Sequence, residues 1–188
     1  AGDRLDIRAP NVPEGEDAPE VVKEEVRIDK LSFASPATNA SWTHRNGSAQ
    51  HLIHHPALGR TLTRVWSANI GTGNSRKKGI TASPVVADGR VFTMDSRATV
   101  SAFTTGGAPV WSADLTPPNE KASEASGGGL AYGSGVLAIT TGHGEVIVMD
   151  PATGGVRWRH QMTGAISADP VIVGDTIVAV GRNNVALG

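Results

Sequence analysis

The sequence of 188 residues contains no cysteine, which excludes disulfides, thiolate metal sites and cysteine nucleophiles within it. Its formal charge at pH 7 is only −1, so it has no overall basic field to attract nucleic acid. No apolar run approaches the roughly 20 residues that a membrane-spanning helix needs. Aromatic residues are also scarce, with four Trp, three Phe and one Tyr.

Glycine and proline, by contrast, are abundant, with 23 and 11 residues. This density of turn-forming residues excludes a helical bundle and favours a turn-rich β fold. Residues 1–38 add an acidic cluster to their prolines and offer too little apolar surface to offset the entropy of ordering them. We expect a flexible acidic and proline-rich tail over 1–38, and a folded domain over 39–188.

Four histidines fall within twelve positions at the start of that domain: His44, His51, His54 and His55. On a helix, the last three could present two imidazoles to one metal ion. No carboxylate lies nearby, and the proline after His55 discourages a helix. We therefore interpret this stretch as a surface loop and predict no metal site.

A repeat then governs the rest of the chain. Trp66, Trp111 and Trp158 end three similar segments and are spaced 45 and 47 residues apart. A second motif, Ser83-Pro84-Val85-Val86, recurs two repeats later as Asp169-Pro170-Val171-Ile172. A fixed period of about 40–50 residues is typical of propellers and solenoids.

Each repeat divides into four short strands separated by turns, as in Val85–Ala87, Arg90–Met94, Thr99–Phe103 and Pro109–Asp114. The pattern predicts an all-β propeller of four-stranded antiparallel blades. A β-sandwich is the structural rival, but it does not predict the recurring tryptophans. The tryptophans themselves, Trp66, Trp111 and Trp158, are expected to pack between neighbouring blades.

About two and a half blades are expected in this chain. The predicted elements are a ring-closing strand at about 61–70, blades at 80–115 and 127–162, and a partial blade at 168–188. Closed propellers need about four to eight blades. We therefore expect the chain to be an N-terminal piece of a longer ring.

The best copy of the repeat ending, Asp150-Pro151-Ala152-Thr153-Gly154-Gly155-Val156-Arg157-Trp158, resembles the PQQ-type (quinoprotein-like) β-propeller repeat. The wider arrangement resembles the BamB family of outer-membrane assembly factors over about residues 39–188. It consists of a polar tail, the Trp-containing stretch Ser41–Gly47, the segment Val65–Gly73 and the strand at Pro84-Val85-Val86.

The BamB resemblance implies an eight-bladed ring and a non-enzymatic scaffold lipoprotein that supports the folding and insertion of outer-membrane proteins. It implies BamA and the barrel-assembly complex as partners, along with nascent outer-membrane proteins. It also implies a periplasmic location at the inner leaflet of the outer membrane. The implied lipid anchor needs a cysteine, which we expect just before the printed sequence.

The PQQ resemblance leaves a quinone-dependent dehydrogenase as the alternative function. Members of that class hold the quinone in the central funnel with a calcium ion and a catalytic carboxylate. Here Asp88, Asp95, Asp150 and Asp175 lie at turns, where aspartate serves local backbone hydrogen bonding, and no acid–base pair emerges. We expect no enzymatic activity, no catalytic residue, no cofactor and no bound metal.

Blade geometry predicts one further feature. The turns after the second strands and the connections between blades should share one face, a usual place for partner recognition. That face would be mildly basic through Arg76, Lys77, Lys78, Arg97, His143 and Arg182. We expect these residues to contact a protein partner, and we expect no nucleic acid.

Overall fold

The computed structural model describes residues 32–120 and 126–188, and all regular structure within them is β. The chain divides into two compact units, residues 1–34 and 35–188, and every strand belongs to the second. Most of the predicted tail, residues 1–31, lies outside the described residues. None of the described residues forms a helix long and apolar enough to cross a membrane.

Eleven strands in the described residues form three antiparallel sheets. The first sheet contains β1 (Val85–Ala87), β2 (Arg90–Met94), β3 (Thr99–Thr104) and β4 (Pro109–Asp114) in that spatial order. The second contains β5 (Gly128–Gly133), β6 (Val136–Thr141), β7 (Glu145–Met149) and β8 (Val156–Gln161). The third contains β9 (Val171–Val173), β10 (Thr176–Val180) and β11 (Ala186–Leu187), with β10 in the middle. The predicted all-β propeller with four-stranded antiparallel blades is confirmed.

Two-residue hairpin turns fix the register of the inner strands. Asp88 and Gly89 both have positive φ, 48° and 68°, and Ser134 and Gly135 repeat this with 47° and 70°. Two successive left-handed residues form the turn whose twist matches that of antiparallel strands. The same turn in successive blades therefore sets the same pairing, with Val86 opposite Val91 and Tyr132 opposite Leu137.

The main core is shared between the first and second sheets. Its fully buried large side chains include Val85, Phe92, Leu130, Leu137 and Ile139. Burying such a side chain contributes about 1.5–3 kcal/mol to folding. The outer strand β8 is exposed along its whole length, whereas most residues of β5, β6 and β7 in the same sheet are buried.

The segment at 61–70 has no strand assignment, although Trp66 hydrogen bonds to the first sheet. The prediction that this segment closes the ring in a longer protein stays a prediction.

Candidate functional site

Two regions of the propeller gather polar residues. The first is the stretch Ser41–Gly47, hereafter the axial segment, which lies along the inner strands. Trp42 exchanges two backbone hydrogen bonds with Val86 of β1, at 2.7 and 2.8 Å. Tyr132 of β5 donates its N–H to the carbonyl of Thr43 at 2.8 Å. Consecutive residues of one short segment thus bind two successive blades.

The third blade is bound by the next residue, His44. The N–H of Ile172 in β9 donates to His44 Nε2 at 3.0 Å, so the ring proton is on Nδ1. Nδ1–H in turn donates to Thr43 Oγ1 at 2.8 Å, and that hydroxyl donates to the carbonyl of Gly47. The imidazole is only 3% exposed. Burial, and secondarily the nearby His51, hold the pKa of His44 below its ordinary value of 6.5.

The interpretation of all four histidines as surface-loop residues is therefore wrong for His44. His51, His54 and His55 are exposed, but His44 is a buried hydrogen-bond acceptor. No group of described residues has three metal-ligating side chains placed to hold an ion. The sequence did indicate that this stretch packs against the rest of the fold, because Trp42 lies among polar residues and a large indole needs an apolar surface to pack against.

The second region is a cleft of about 620 Å³ on the face of the connectors, hereafter the basic cleft. Four of the six residues predicted to contact a partner line it: Arg76, Lys77, Lys78 and Arg97. Its other lining residues are Thr72, Ser75 and Ser96. The fold thus brings the cations of residues 72–78, the connection that leads into the first blade, beside the turn between β2 and β3.

Asp95 holds these two loops together from below. It is 4% exposed; Oδ2 accepts from the N–H of Thr72 at 2.8 Å, and Oδ1 accepts from those of Arg97 and Thr99 at 2.8 Å each. Ser96 Oγ adds a hydrogen bond to the carbonyl of Gly73 at 2.9 Å. One buried carboxylate therefore fixes the backbone on both sides of the cleft.

The tip of the connector is fixed as well. Ser75 and Lys78 exchange backbone hydrogen bonds of 2.7 and 3.2 Å, which closes a tight turn with Arg76 and Lys77 at its tip. Asn74 Oδ1 accepts from the N–H of Ile80 at 2.6 Å. The cations therefore project from a backbone that has little freedom of its own.

The other two predicted partner residues do not line the basic cleft. The imidazole of His143 is 2% exposed and pairs with Glu120. Arg182 is exposed, and its N–H donates to the carbonyl of Ala165 at 2.8 Å. Of the six residues predicted for the face, His143 is therefore already paired within the chain, and Arg182 lies apart from the cleft.

The repeat tryptophans occupy related positions. Trp66 Nε1 donates to the carbonyl of Thr105 at 2.9 Å, and Trp111 Nε1 donates to that of Pro151 at 3.0 Å. Each indole lies over a glycine of positive φ in the turn between the third and fourth strands of a blade. A Cβ on that glycine would approach the indole to 2.7 Å at Gly107 and to 2.6 Å at Gly154. Trp158 is 45% exposed beside the third sheet.

Comparison with known proteins shows which proteins this chain is similar to. A family model described as "Outer membrane protein assembly factor BamB" matches residues 96–188. The curated BamB of Xanthomonas campestris pv. campestris is 29% identical, over 74% of this chain and 37% of the relative. The chain thus resembles PQQ-type β-propeller repeat proteins, and BamB among them. A Rickettsia prowazekii protein described as uncharacterized is 30% identical, over 55% of this chain and 25% of its own length.

Solved structures similar to this chain include a methanol dehydrogenase and a quinohemoprotein alcohol dehydrogenase. A europium-containing methanol dehydrogenase superposes with a TM-score of 0.63 at 20% identity, over 75% of this chain and 27% of the enzyme. The quinohemoprotein alcohol dehydrogenase of Comamonas testosteroni gives 0.62 at 21%, over 77% of this chain and 23% of the enzyme. At such identity the likeness shows the propeller fold alone. The chain spans about a third of its BamB relative and less of the others.

These enzymes raise the question of whether the BamB-like chain fits a quinone and calcium. The inner strands of a propeller surround its central channel, and here β1, β5 and β9 bind the chain's own axial segment. No metal-ligating group of three occurs in residues 32–120 and 126–188. The described residues do not fit the cofactor, and we derive no reaction step through it.

Proposed function

We propose that this chain acts as part of a non-enzymatic scaffold lipoprotein of the β-barrel assembly machinery, which supports folding and insertion of outer-membrane proteins. The observation that carries the non-enzymatic role is the axial segment. Its backbone and His44 take up hydrogen-bonding groups of the inner strands β1, β5 and β9, and in a propeller the inner strands surround the central channel. The similarity to BamB supports the assignment to this machinery.

In this proposal the partners are BamA and the barrel-assembly complex, together with nascent outer-membrane proteins. The contact uses the face that carries the connections between blades, with Arg76, Lys77, Lys78, Arg97 and Arg182; His143 belongs to the same predicted face, but its side chain is paired with Glu120. The support is a repeated hydrogen bond that joins each connector to the turn after a second strand: Ser96 to Thr72, Gly142 to Gly127, and Arg182 to Ala165. Loops held on a rigid sheet scaffold are suited to partner recognition.

The location in this proposal is the periplasm, at the inner leaflet of the outer membrane. The similarity to an outer-membrane assembly factor supports it. In this proposal the protein is attached to the membrane through a lipid anchor, as the resemblance to BamB implies.

We also propose that Trp66, Trp111 and Trp158 hold neighbouring blades together. The hydrogen bonds of Trp66 and Trp111, which cross 39 and 40 residues, support this role. An indole combines a large apolar area with one directional N–H bond, although Trp158 is 45% exposed in the described residues.

The test is affinity purification of the tagged full-length protein from bacterial membranes. We expect BamA to co-purify, and Arg97→Glu/Arg182→Glu to reduce its recovery. An unchanged recovery would remove these residues from the contact, and complete absence of BamA would contradict the assembly role. Purified protein given pyrroloquinoline quinone and Ca²⁺ should show no cofactor absorbance and no dye reduction. Turnover there would favour the dehydrogenase alternative.

A further inference from the structure

We propose that the basic cleft binds an acidic segment of a partner protein, whose carboxylates pair with the side chains of Arg76, Lys77 and Arg97. This names the chemistry of one contact and rests on the proposed scaffold function for the partner's biological role. Three properties of the cleft support this ligand chemistry: its positive charge, its rigid backbone and its concave shape.

The charge argument begins with pairing. Arg76, Lys77 and Arg97 are exposed and form no ion pair with any residue in the described ranges. Three other arginines of the propeller do have carboxylate partners: Arg45 with Asp169, Arg157 with Asp150, and Arg159 with Glu145. Within the described residues, Arg76, Lys77 and Arg97 therefore bring three positive charges to the cleft with no carboxylate paired to them.

Asp95, in the turn that carries Arg97, forms no ion pair with a described cation. It is buried, and its two oxygens accept three backbone N–H groups. Its oxygens are therefore engaged by the backbone of the two loops. Asp95 thus serves as the support of the cleft, and the cations remain available to an external anion.

Rigidity lowers the cost of binding. The backbone around Arg76 and Lys77 is closed by the Ser75–Lys78 hydrogen bonds, and Ser96 ties the neighbouring turn to Thr72 and Gly73. A ligand therefore needs to order only the side chains of the cations, and a pre-organised backbone improves affinity by removing part of the ordering entropy.

Shape decides between occupants. A concave volume of about 620 Å³ admits a few side chains of an extended segment, in the usual range of about 300–1,000 Å³ for ligand clefts. Guanidinium groups favour planar, bidentate carboxylates, and Thr72 and Ser75 add polar groups to the lining. A flat anionic membrane surface would reach such a recess less completely, so the observations favour a protein segment.

The test uses the full chain and a fluorescein-labelled ten-residue peptide of alternating glutamate and glycine, followed by fluorescence anisotropy. We expect binding to the native chain that weakens as salt rises from 50 to 200 mM, because exposed charges are screened. Arg76→Glu/Arg97→Glu should weaken binding by roughly tenfold or more. The matched control, Arg60→Glu/Arg64→Glu, changes the net charge equally at exposed arginines outside the cleft and should stay within about twofold of the native chain.

Three results would overturn the proposal: no binding by the native chain, equal losses in the two double variants, or binding to anionic lipid vesicles without binding to the peptide. Equal losses would mean attraction by net charge alone. Failure here with BamA still co-purifying would remove only the cleft assignment. Peptide binding as expected without BamA co-purification would instead contradict the scaffold function and leave the cleft in place.

Discussion

The axial segment and the basic cleft are stabilised in the same way, but one contacts the propeller itself and the other faces outward. Each depends on one buried polar side chain that bonds to backbone, His44 at 3% exposure and Asp95 at 4%. In the axial segment, the bonds end within the propeller, on Val86, Tyr132 and Ile172. In the cleft, they fix loops whose cations project outward. The difference separates a region that serves the fold from one that is available to a partner.

The largest effect is expected from Asp95→Ala. It leaves the N–H groups of Thr72, Arg97 and Thr99 without their acceptor, and hydrogen bonds to a charged group contribute about 1.5–3 kcal/mol each, with solvent replacing part of the loss. We expect the free energy of unfolding to fall by about 3 kcal/mol, as measured by urea denaturation.

Asp95→Asn is the matched control, because it retains one oxygen of the same shape. It should lose about half as much stability and keep part of the acidic-peptide binding. Equal stability of the native chain and Asp95→Ala would mean that the cleft does not depend on this carboxylate.

His44→Ala tests the other side of the comparison. It removes the acceptor of the Ile172 N–H and leaves a void among the inner strands. We expect a loss of about 2 kcal/mol in unfolding free energy and unchanged binding of the acidic peptide. His54→Ala, at an exposed position of the same stretch, should change stability by less than about 0.5 kcal/mol. Equal effects of the two substitutions would contradict the structural role of His44.

The sequence was sufficient to predict the repeat but not the contacts of the axial segment, because those contacts join residues far apart along the chain. The tryptophan spacing and the Asp88-Gly89 turn are local patterns, so they predicted the blades and their hairpins. The hydrogen bond between His44 and Ile172 crosses 128 residues, and no local pattern encodes it.

The basic cleft falls between these cases. Arg76, Lys77 and Lys78 are adjacent in sequence, so their grouping was predictable. Arg97 joins them only because Asp95 binds the backbone of Thr72, 23 residues away. Strand order predicted that the two loops share a face, but the reach of a single carboxylate determines that they form one cleft.

A pH effect smaller than that of His44→Ala is expected from the same imidazole. Protonation would add a hydrogen to Nε2, so that the imidazole could no longer accept from the N–H of Ile172. The pKa of His44 in the folded chain is accordingly lowered from 6.5, with burial as the main cause. The unfolded chain therefore binds this proton at higher pH than the folded chain. Stability should be fully present above about pH 6.5 and should decrease as the pH falls through the folded pKa.

His44→Gln is the control for this titration, because its side-chain oxygen can accept the same hydrogen bond but cannot titrate. The titratable group that acts on the pKa of His44 is His51, and it remains in both proteins. We expect the difference in unfolding free energy between the native chain and His44→Gln to shrink below pH 6.5. A pH-independent difference would assign the titration to another group.

The smallest effect on stability is expected from Arg45→Ala, which compares a paired cation of the axial segment with an unpaired cation of the basic cleft. Arg45 lies 3.5 Å from Asp169 but is 60% exposed, so solvent screens most of the attraction and the loss should be no more than about 0.5 kcal/mol. Arg76→Ala, at an exposed cation without a carboxylate partner in the described chain, should change stability equally little. Only Arg76→Ala should weaken the acidic peptide in anisotropy. If Arg45→Ala weakened it as much, the two regions would share one electrostatic surface, and internal pairing would not be what separates them.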